Sequence, residues 1–155
     1  MRSSHTVSEM TDAIGEAVSR WQDATQLFDE AVGARLGVSP SERRCLAFLA
    51  TGPKAARDIA GETRLTPAAV TALVDRLEAR DLVLRQADAN DRRRVIVRLT
   101  QEAEELAHEY YGPIVAEGRK LLKRFTPGQL RTILEFVEGV RALQQKHTRK
   151  LSDGA

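Results

Sequence analysis

Four arginines fall within seven residues of this 155-residue chain, Arg92, Arg93, Arg94 and Arg98, with Asp91 directly ahead of them. A guanidinium is permanently charged and planar, with five N–H donors that match phosphate oxygens and the edges of bases. Upstream, Thr66-Pro67-Ala68-Ala69-Val70-Thr71-Ala72 opens a segment that reaches Arg76 a helical turn further on. A Thr-Pro helix start points free N–H groups and a positive dipole end at solvent, which suits a phosphate. The Thr66 and Thr71 hydroxyls can donate to phosphate or to base edges, and Arg76 can reach phosphate or guanine. Ala68, Ala69 and Ala72 offer methyl groups and allow close approach. Together these residues suit the grip of an anionic polymer, with a helix in one groove and arginines on the backbone or a neighbouring groove.

Other chemistry is sparse. Cys45 is the single cysteine, so no internal disulfide and no Cys-rich zinc module is expected, and Leu46, Phe48 and Leu49 beside it imply a buried, inert thiol. His108 lies one helical turn from Glu104, a spacing a metal could use, but His5, His108 and His147 are scattered along the chain. No Gly-rich phosphate loop or serine nucleophile motif is present. The expectation is a protein that is not an enzyme, with no metal and no cofactor.

The elements that must hold these residues announce themselves by their starts. Ser39-Pro40-Ser41-Glu42 and Thr126-Pro127-Gly128-Gln129 are full capping boxes, and Thr66-Pro67 has the cap and the proline. Before Ser39, Val7, Met10, Ile14, Val18, Trp21, Thr25, Phe28 and Val32 recur every three or four positions, the stripe of one long helix. Helices follow from about Pro40 to Ala50 and from Ala55 to Glu62. Thr63-Arg64-Leu65 connects the second of these to the helix at Thr66, whose buried face is Val70, Leu73, Val74 and Leu77. Two short helices joined by a tight turn make a helix-turn-helix pattern.

Leu82 to Arg85 reads as a strand, Asp88-Ala89-Asn90-Asp91 as a turn, and Val95 to Leu99 as the return strand with Val95, Val97 and Leu99 on one face. After Thr100, itself a helix cap, a further apolar stripe runs from Leu106 to Phe125. Gly112-Pro113 interrupts that stripe, so a kink or break is expected there. A last helix carries Leu130, Ile133, Leu134, Val137 and Val140, with a frayed tail from about Lys146.

Composition agrees with a globule: 42% hydrophobic and 30% charged residues, with a formal net charge of only +2. The distribution is more telling. Residues 39–100 hold 12 Lys and Arg against 8 Asp and Glu, an excess of +4, whereas residues 1–38 carry −3 and residues 101–155 carry +1. No apolar run is long enough to span a membrane, and the polar stretch from Met1 to Ser8 has no signal-peptide core, so a cytoplasmic protein is expected.

The order of elements, with these particular residues, resembles the MarR family of bacterial transcriptional regulators. The resemblance rests on Leu65-Thr66-Pro67-Ala68-Ala69-Val70-Thr71, on Leu73-Val74-Asp75-Arg76-Leu77-Glu78, on Leu82-Val83, and on Asp91-x-Arg93-x-x-x-Val97-x-Leu99-Thr100. It covers nearly the whole chain and is strongest from Ser39 to Thr100. Two positions depart from the family pattern: Ala72 stands where an Arg or similar polar residue is frequent, and Asp81 where Gly is common.

The resemblance implies a mainly α fold with a two-stranded β wing. A winged helix-turn-helix domain over residues 39–100 would be flanked by dimerisation helices over 1–38 and 101–155. It implies a DNA contact set of Thr66, Pro67, Ala68, Ala69, Thr71, Ala72, Arg76, Asp91, Arg92, Arg93, Arg94 and Arg98. Within that set Arg93 would enter the minor groove, Asp91 would orient it, and Arg92, Arg94 and Arg98 would hold phosphates. It further implies a homodimer on a near-palindromic double-stranded operator, with half-sites roughly 34–36 Å apart. The partners are DNA, a second copy and a small aromatic or phenolic effector that releases a repressor. Trp21, Phe28, Phe48 and Tyr110 are the large side chains that could line the effector pocket. The alternatives left open are a ligand-independent or activating regulator, and a winged-helix adaptor that binds protein.

Overall fold

A computed structural model describes residues 6–88 and 95–153, with the side chains of residues 152 and 153 left aside. The elements run in the order α1 (Val7–Leu36), α2 (Pro40–Leu49), β1 (Lys54–Ala55), α3 (Ala56–Thr63) and α4 (Pro67–Glu78). They continue with β2 (Val83–Ala87), β3 (Val95–Leu99), α5 (Gln101–Leu122) and α6 (Pro127–Asp153). The chain divides into two compact units, Met1–Tyr110 and Tyr111–Ala155.

The helix starts follow their caps. The Ser39 hydroxyl accepts the Glu42 N–H at 3.3 Å while the Glu42 carboxylate accepts the Ser39 N–H at 2.8 Å, so two orphan donors of α2 are satisfied reciprocally. Thr126 and Gln129 do the same for α6 at 3.3 and 2.9 Å. The Thr100 hydroxyl accepts the Ala103 N–H at 3.1 Å at the head of α5. A further box, Thr6 with Glu9, opens α1, and the sequence reading had passed over it.

The core of the first unit gathers around α4. Ile59, Leu73, Leu77 and Cys45 are fully enclosed, and Val70, Val74, Leu82, Val83, Val97 and Leu99 pack with them in the same cluster. Each such aliphatic side chain contributes roughly 1.5–3 kcal/mol on burial. The four positions expected on the inner face of α4, Val70, Leu73, Val74 and Leu77, are all buried.

The sheet extends the sequence reading. The expected two-stranded wing is the β2–β3 hairpin, and a third strand adds to it, giving the order β1-β3-β2, all antiparallel. Lys54 pairs with Val97 and Ala55 with Ile96, so β1 covers the edge of β3 that the hairpin alone would leave open. Two residues carry no alternating pattern, which is why β1 escaped notice. In the hairpin, Val83 faces Leu99 across the register and Ala87 faces Val95. Strand β2 begins one residue later than expected and runs to Ala87. Val95 lies at the far end of the ladder and is 56% exposed, whereas Val97 and Leu99 reach the core.

Asp81 adopts the left-handed conformation with φ +54° that its place in the family pattern gives to glycine. Its N–H donates to the Glu78 carbonyl at 3.0 Å, and its carbonyl accepts the Thr100 hydroxyl at 2.6 Å. The helix-to-strand turn therefore survives the substitution.

Helix α5 runs through Pro113 from Gln101 to Leu122 as one element, so the break expected at Gly112-Pro113 is absent. Proline removes one N–H donor and crowds the carbonyl four residues earlier, but the helical hydrogen bonds on either side carry the helix past it. Helix α6 likewise extends beyond Lys146 to Asp153. In the second unit Ile133, Val137 and Val140 are half-buried, while Leu134, Phe136 and Leu143 stay exposed.

Candidate nucleic-acid interface

The head of α4 is built by its turn. Arg64 ends α3 in a left-handed conformation with φ +57°, which lets Leu65 and Thr66 swing the chain into the next helix. Thr66 caps α4, its hydroxyl oxygen accepting the Ala69 N–H at 3.3 Å, and Pro67 occupies the first helical turn. The hydroxyl proton of Thr66 is not used in that bond and points a donor at whatever approaches. With Val70, Leu73, Val74 and Leu77 turned inward, Thr66, Pro67, Ala68, Thr71, Ala72, Asp75 and Arg76 line the exposed side, and Ala69 is half-buried at its margin.

Several of these side chains are already committed within the fold. The Thr71 hydroxyl donates to the Pro67 carbonyl at 3.1 Å. It therefore offers its methyl and an acceptor lone pair to a groove, rather than the donor expected from sequence. Arg76, expected to reach phosphate or guanine, donates through Nε to the Glu42 carboxylate of α2 at 2.9 Å while its side chain stays 59% exposed. Sequence periodicity placed Arg76 on the outward side but could not show a carboxylate from 34 residues away.

Glu42 is buried, and burial pushes its carboxyl up; the Ser39 N–H, Arg76 and the Ser39 hydroxyl together outweigh that and hold it below its ordinary value. Its charge and the burial around it push the Cys45 thiol up to about 11, burial being the larger cause. The cysteine is buried in the core, as expected.

The C-terminal half of α4 is tied to the wing as well. Arg85 of β2 donates to Asp75 at 2.5 Å and pairs with Glu78, whose carboxylate also accepts the Arg85 backbone N–H at 3.2 Å. Burial lowers the guanidinium's proton affinity, but the bond to Asp75 and the charge of Glu78 lead a larger opposite effect and raise it. Asp75 and Glu78 thus orient the strand that leads to the arginine-rich turn. The sequence set Asp75 and Glu78 in the family-like stretch and Arg85 at a strand end, but nothing in their spacing marks a contact between helix and strand.

Arg98 is exposed on β3 and donates through Nε to Gln86 of β2 at 2.8 Å. Asp91, Arg92, Arg93 and Arg94 lie outside the described residues; in the chain they connect two strands whose last described pair is Ala87 with Val95. The aromatic residues expected at an effector pocket sit on three helices. Trp21 on α1 is 60% exposed and Phe28 on the same helix is half-buried. Phe48 on α2 is half-buried with the Lys54 ammonium 4.8 Å from its ring centroid, and Tyr110 on α5 is half-buried.

Among the described residues no group of three or more His, Cys, Asp or Glu could hold a metal ion, and no helix is long and apolar enough to cross a membrane.

Residues 36–94, the segment from the end of α1 through the arginine-rich turn, match the model of the MarR family. Over 152 residues the chain is 28% identical to the uncharacterised HTH-type transcriptional regulator YcgE of Bacillus subtilis (strain 168), covering 97% of this chain and 99% of that protein. The segment 36–94 is thus similar to the MarR family of regulators.

Two of the solved structures that this chain is similar to share its fold. NadR in complex with 4-hydroxyphenylacetate matches with a TM-score of 0.58 at 20% identity, covering 90% of this chain and 96% of that one. A mutant of Staphylococcus aureus MepR bound to an oligodeoxyribonucleotide matches with a TM-score of 0.52 at 20% identity, covering 90% and 99%.

Proposed function

We propose that this protein is a DNA-binding transcriptional regulator of the MarR family, a homodimeric repressor acting in the cytoplasm on a near-palindromic operator. Helix α4 lies in the major groove and Arg93 reaches the minor groove. Residues 39–100 carry the DNA contacts, while residues 1–38 and 101–155 supply association. The observation that carries the reading is the pairing of an exposed α4 head with apolar faces that one chain leaves uncovered. Val7, Met10, Ile14 and Trp21 on α1 are all about half exposed or more, as are Leu134 and Leu143 on α6. Helix faces of that kind mark association surfaces. One recognition helix reads too few base pairs, and two-fold symmetry supplies the second.

Within the contact set, the cap of Thr66 and the methyls of Ala68, Ala69, Thr71 and Ala72 meet the groove beside Pro67. Arg92, Arg94 and Arg98 hold phosphates, and Asp91 orients Arg93. Arg76 acts through Glu42 rather than on DNA. A small aromatic acid is the releasing effector, a reading supported by the ligand of NadR and by the aromatic side chains Trp21, Phe28, Phe48 and Tyr110. An effector shifts the equilibrium only by binding the released form better than the operator-bound one.

The experiment is a fluorescence-anisotropy titration of the DNA upstream of the protein's own gene with wild type and Arg93→Ala. The variant loses about 1–3 kcal/mol of operator affinity, the typical cost of one specific contact. Unchanged binding would remove the wing assignment. Thermal-shift measurements with phenolic and other aromatic acids, read against DNA release, test the effector.

A further inference from the structure

The end of α4 reaches across to the end of α1. Arg80 directly follows the α4 cap residue Ala79, and its guanidinium donates to the carbonyl oxygens of Leu36 and Gly37, at 2.5 and 2.9 Å. These carbonyls belong to the last residue of α1 and its left-handed cap, Gly37 with φ +62°. The cap's own backbone bonds serve other carbonyls: the Gly37 N–H donates to Ala34 at 3.2 Å and the Val38 N–H to Gly33 at 2.9 Å. Arg80 therefore satisfies acceptors that the helix end leaves over. It also sets one positive charge against the negative dipole end of α1 and against that of α4 itself.

The remaining ties between α1 and the winged segment run elsewhere. Asp29 pairs with Arg43 of α2 at 2.7 Å, and Val32 and Gly33 are buried at that junction. Arg80 is thus the described polar bond between α1 and the recognition helix. The rest of α1, from Val7 to Leu27, is exposed but for a half-buried Val18, and carries the apolar face assigned above to the partner copy.

We propose that Arg80 is a positioning residue for operator binding: it fixes α4 to α1, so that the dimer helix sets where the recognition helix stands. This rests on the dimer reading of the proposed function. A planar guanidinium holding two adjacent carbonyls restricts both distance and rotation, whereas a single-point donor would fix distance alone. Arg80 does this without touching DNA.

The test uses the full chain as wild type, Arg80→Ala, Arg80→Lys and Arg80→Gln, titrated onto operator DNA over a range of salt. In parallel, spin labels are placed at Gly61→Cys, a position where an added side chain meets open space, while the buried Cys45 escapes labelling. The expected result for Arg80→Ala is roughly tenfold weaker binding with an unchanged slope of log affinity against log salt. The distribution of distances between the two labels of the dimer broadens at the same time. Arg80→Lys and Arg80→Gln fall between wild type and alanine in both readouts, and they carry the comparison alone should alanine unfold the chain.

A slope lowered by about one would make Arg80 a phosphate contact and overturn the inference. So would unaltered affinity and distances in the variants of a dimeric, operator-binding wild type; that outcome leaves the proposed function standing. A monomeric wild type would remove the dimer reading and this inference together.

Discussion

The Arg76 guanidinium lies 2.9 Å from the buried carboxylate of Glu42, joining the last turn of α4 to the first turn of α2. The same carboxylate closes the capping box of α2. One charge therefore holds the start of one helix and the angle of another, and Arg85 repeats the pattern from the other side through Asp75 and Glu78. The recognition helix is braced by ion pairs along its outer edge, and its groove-facing head is left to small residues.

Glu42→Gln tests the brace through pH. The folded carboxyl is held below its ordinary value of 4.5, so its contribution to stability is complete above that pH and is lost as pH falls through the folded value. Urea midpoints at neutral pH should place wild type about 1–2 kcal/mol above the variant. The gap should close below about pH 4.5. A gap that does not narrow as pH falls below 4.5 would contradict it.

Cys45 should be chemically silent. With the thiol fully buried and pushed up to about 11, native protein should react with a thiol reagent at neutral pH only as fast as it opens. Urea should restore an ordinary thiol rate. Operator binding should withstand peroxide. Because the folded value lies above the unfolded one of 9.0, the cysteine's share of stability is present below pH 9 and fades as pH rises toward 11. Cys45→Ala should lack that alkaline limb in a thermal melt.

Asp81→Gly should raise stability by about 0.5–1 kcal/mol, since a left-handed backbone costs a non-glycine residue roughly 1–2 kcal/mol and glycine gives some of that back in chain entropy. The denaturation midpoint reads this directly. A loss of stability would mean that the Asp81 side chain does more than tolerate φ +54°.

Ile14→Arg, on the exposed face of α1, should weaken self-association by a hundredfold or more, measured by sedimentation over a dilution series. Its far-ultraviolet dichroism should stay that of the wild type, because Ile14 lies outside the core of the first unit. An unaltered dimer would place the partner on another face.

Much of this architecture was legible because it depends on neighbours in sequence. Ser39 with Glu42, Thr126 with Gln129, and Thr66 before Pro67 fix helix starts within four residues, and the three- and four-residue spacing of Val70, Leu73, Val74 and Leu77 fixes what α4 buries. What escaped depends on distance. Lys54 and Ala55 become a strand only because Val97 and Ile96 lie alongside. Arg76 gave no sign of Glu42 opposite, and Arg80 looked like any surface arginine until the end of α1 arrived beside it. At Pro113 the local rule was followed too strictly, for a helix of 22 residues has enough bonds on either side to carry one missing donor. Within the expected DNA contact set, the Thr71 hydroxyl also donates to Pro67 and Arg76 also pairs with Glu42, bonds that no local spacing announces.

The account as a whole turns on how many chains grip one operator. Light scattering of the protein mixed with a duplex carrying its upstream palindrome gives the mass of the complex. Two chains per duplex is the predicted result, with half-sites about one helical turn apart. One chain per duplex, or a protein that stays apart from the DNA, would contradict it.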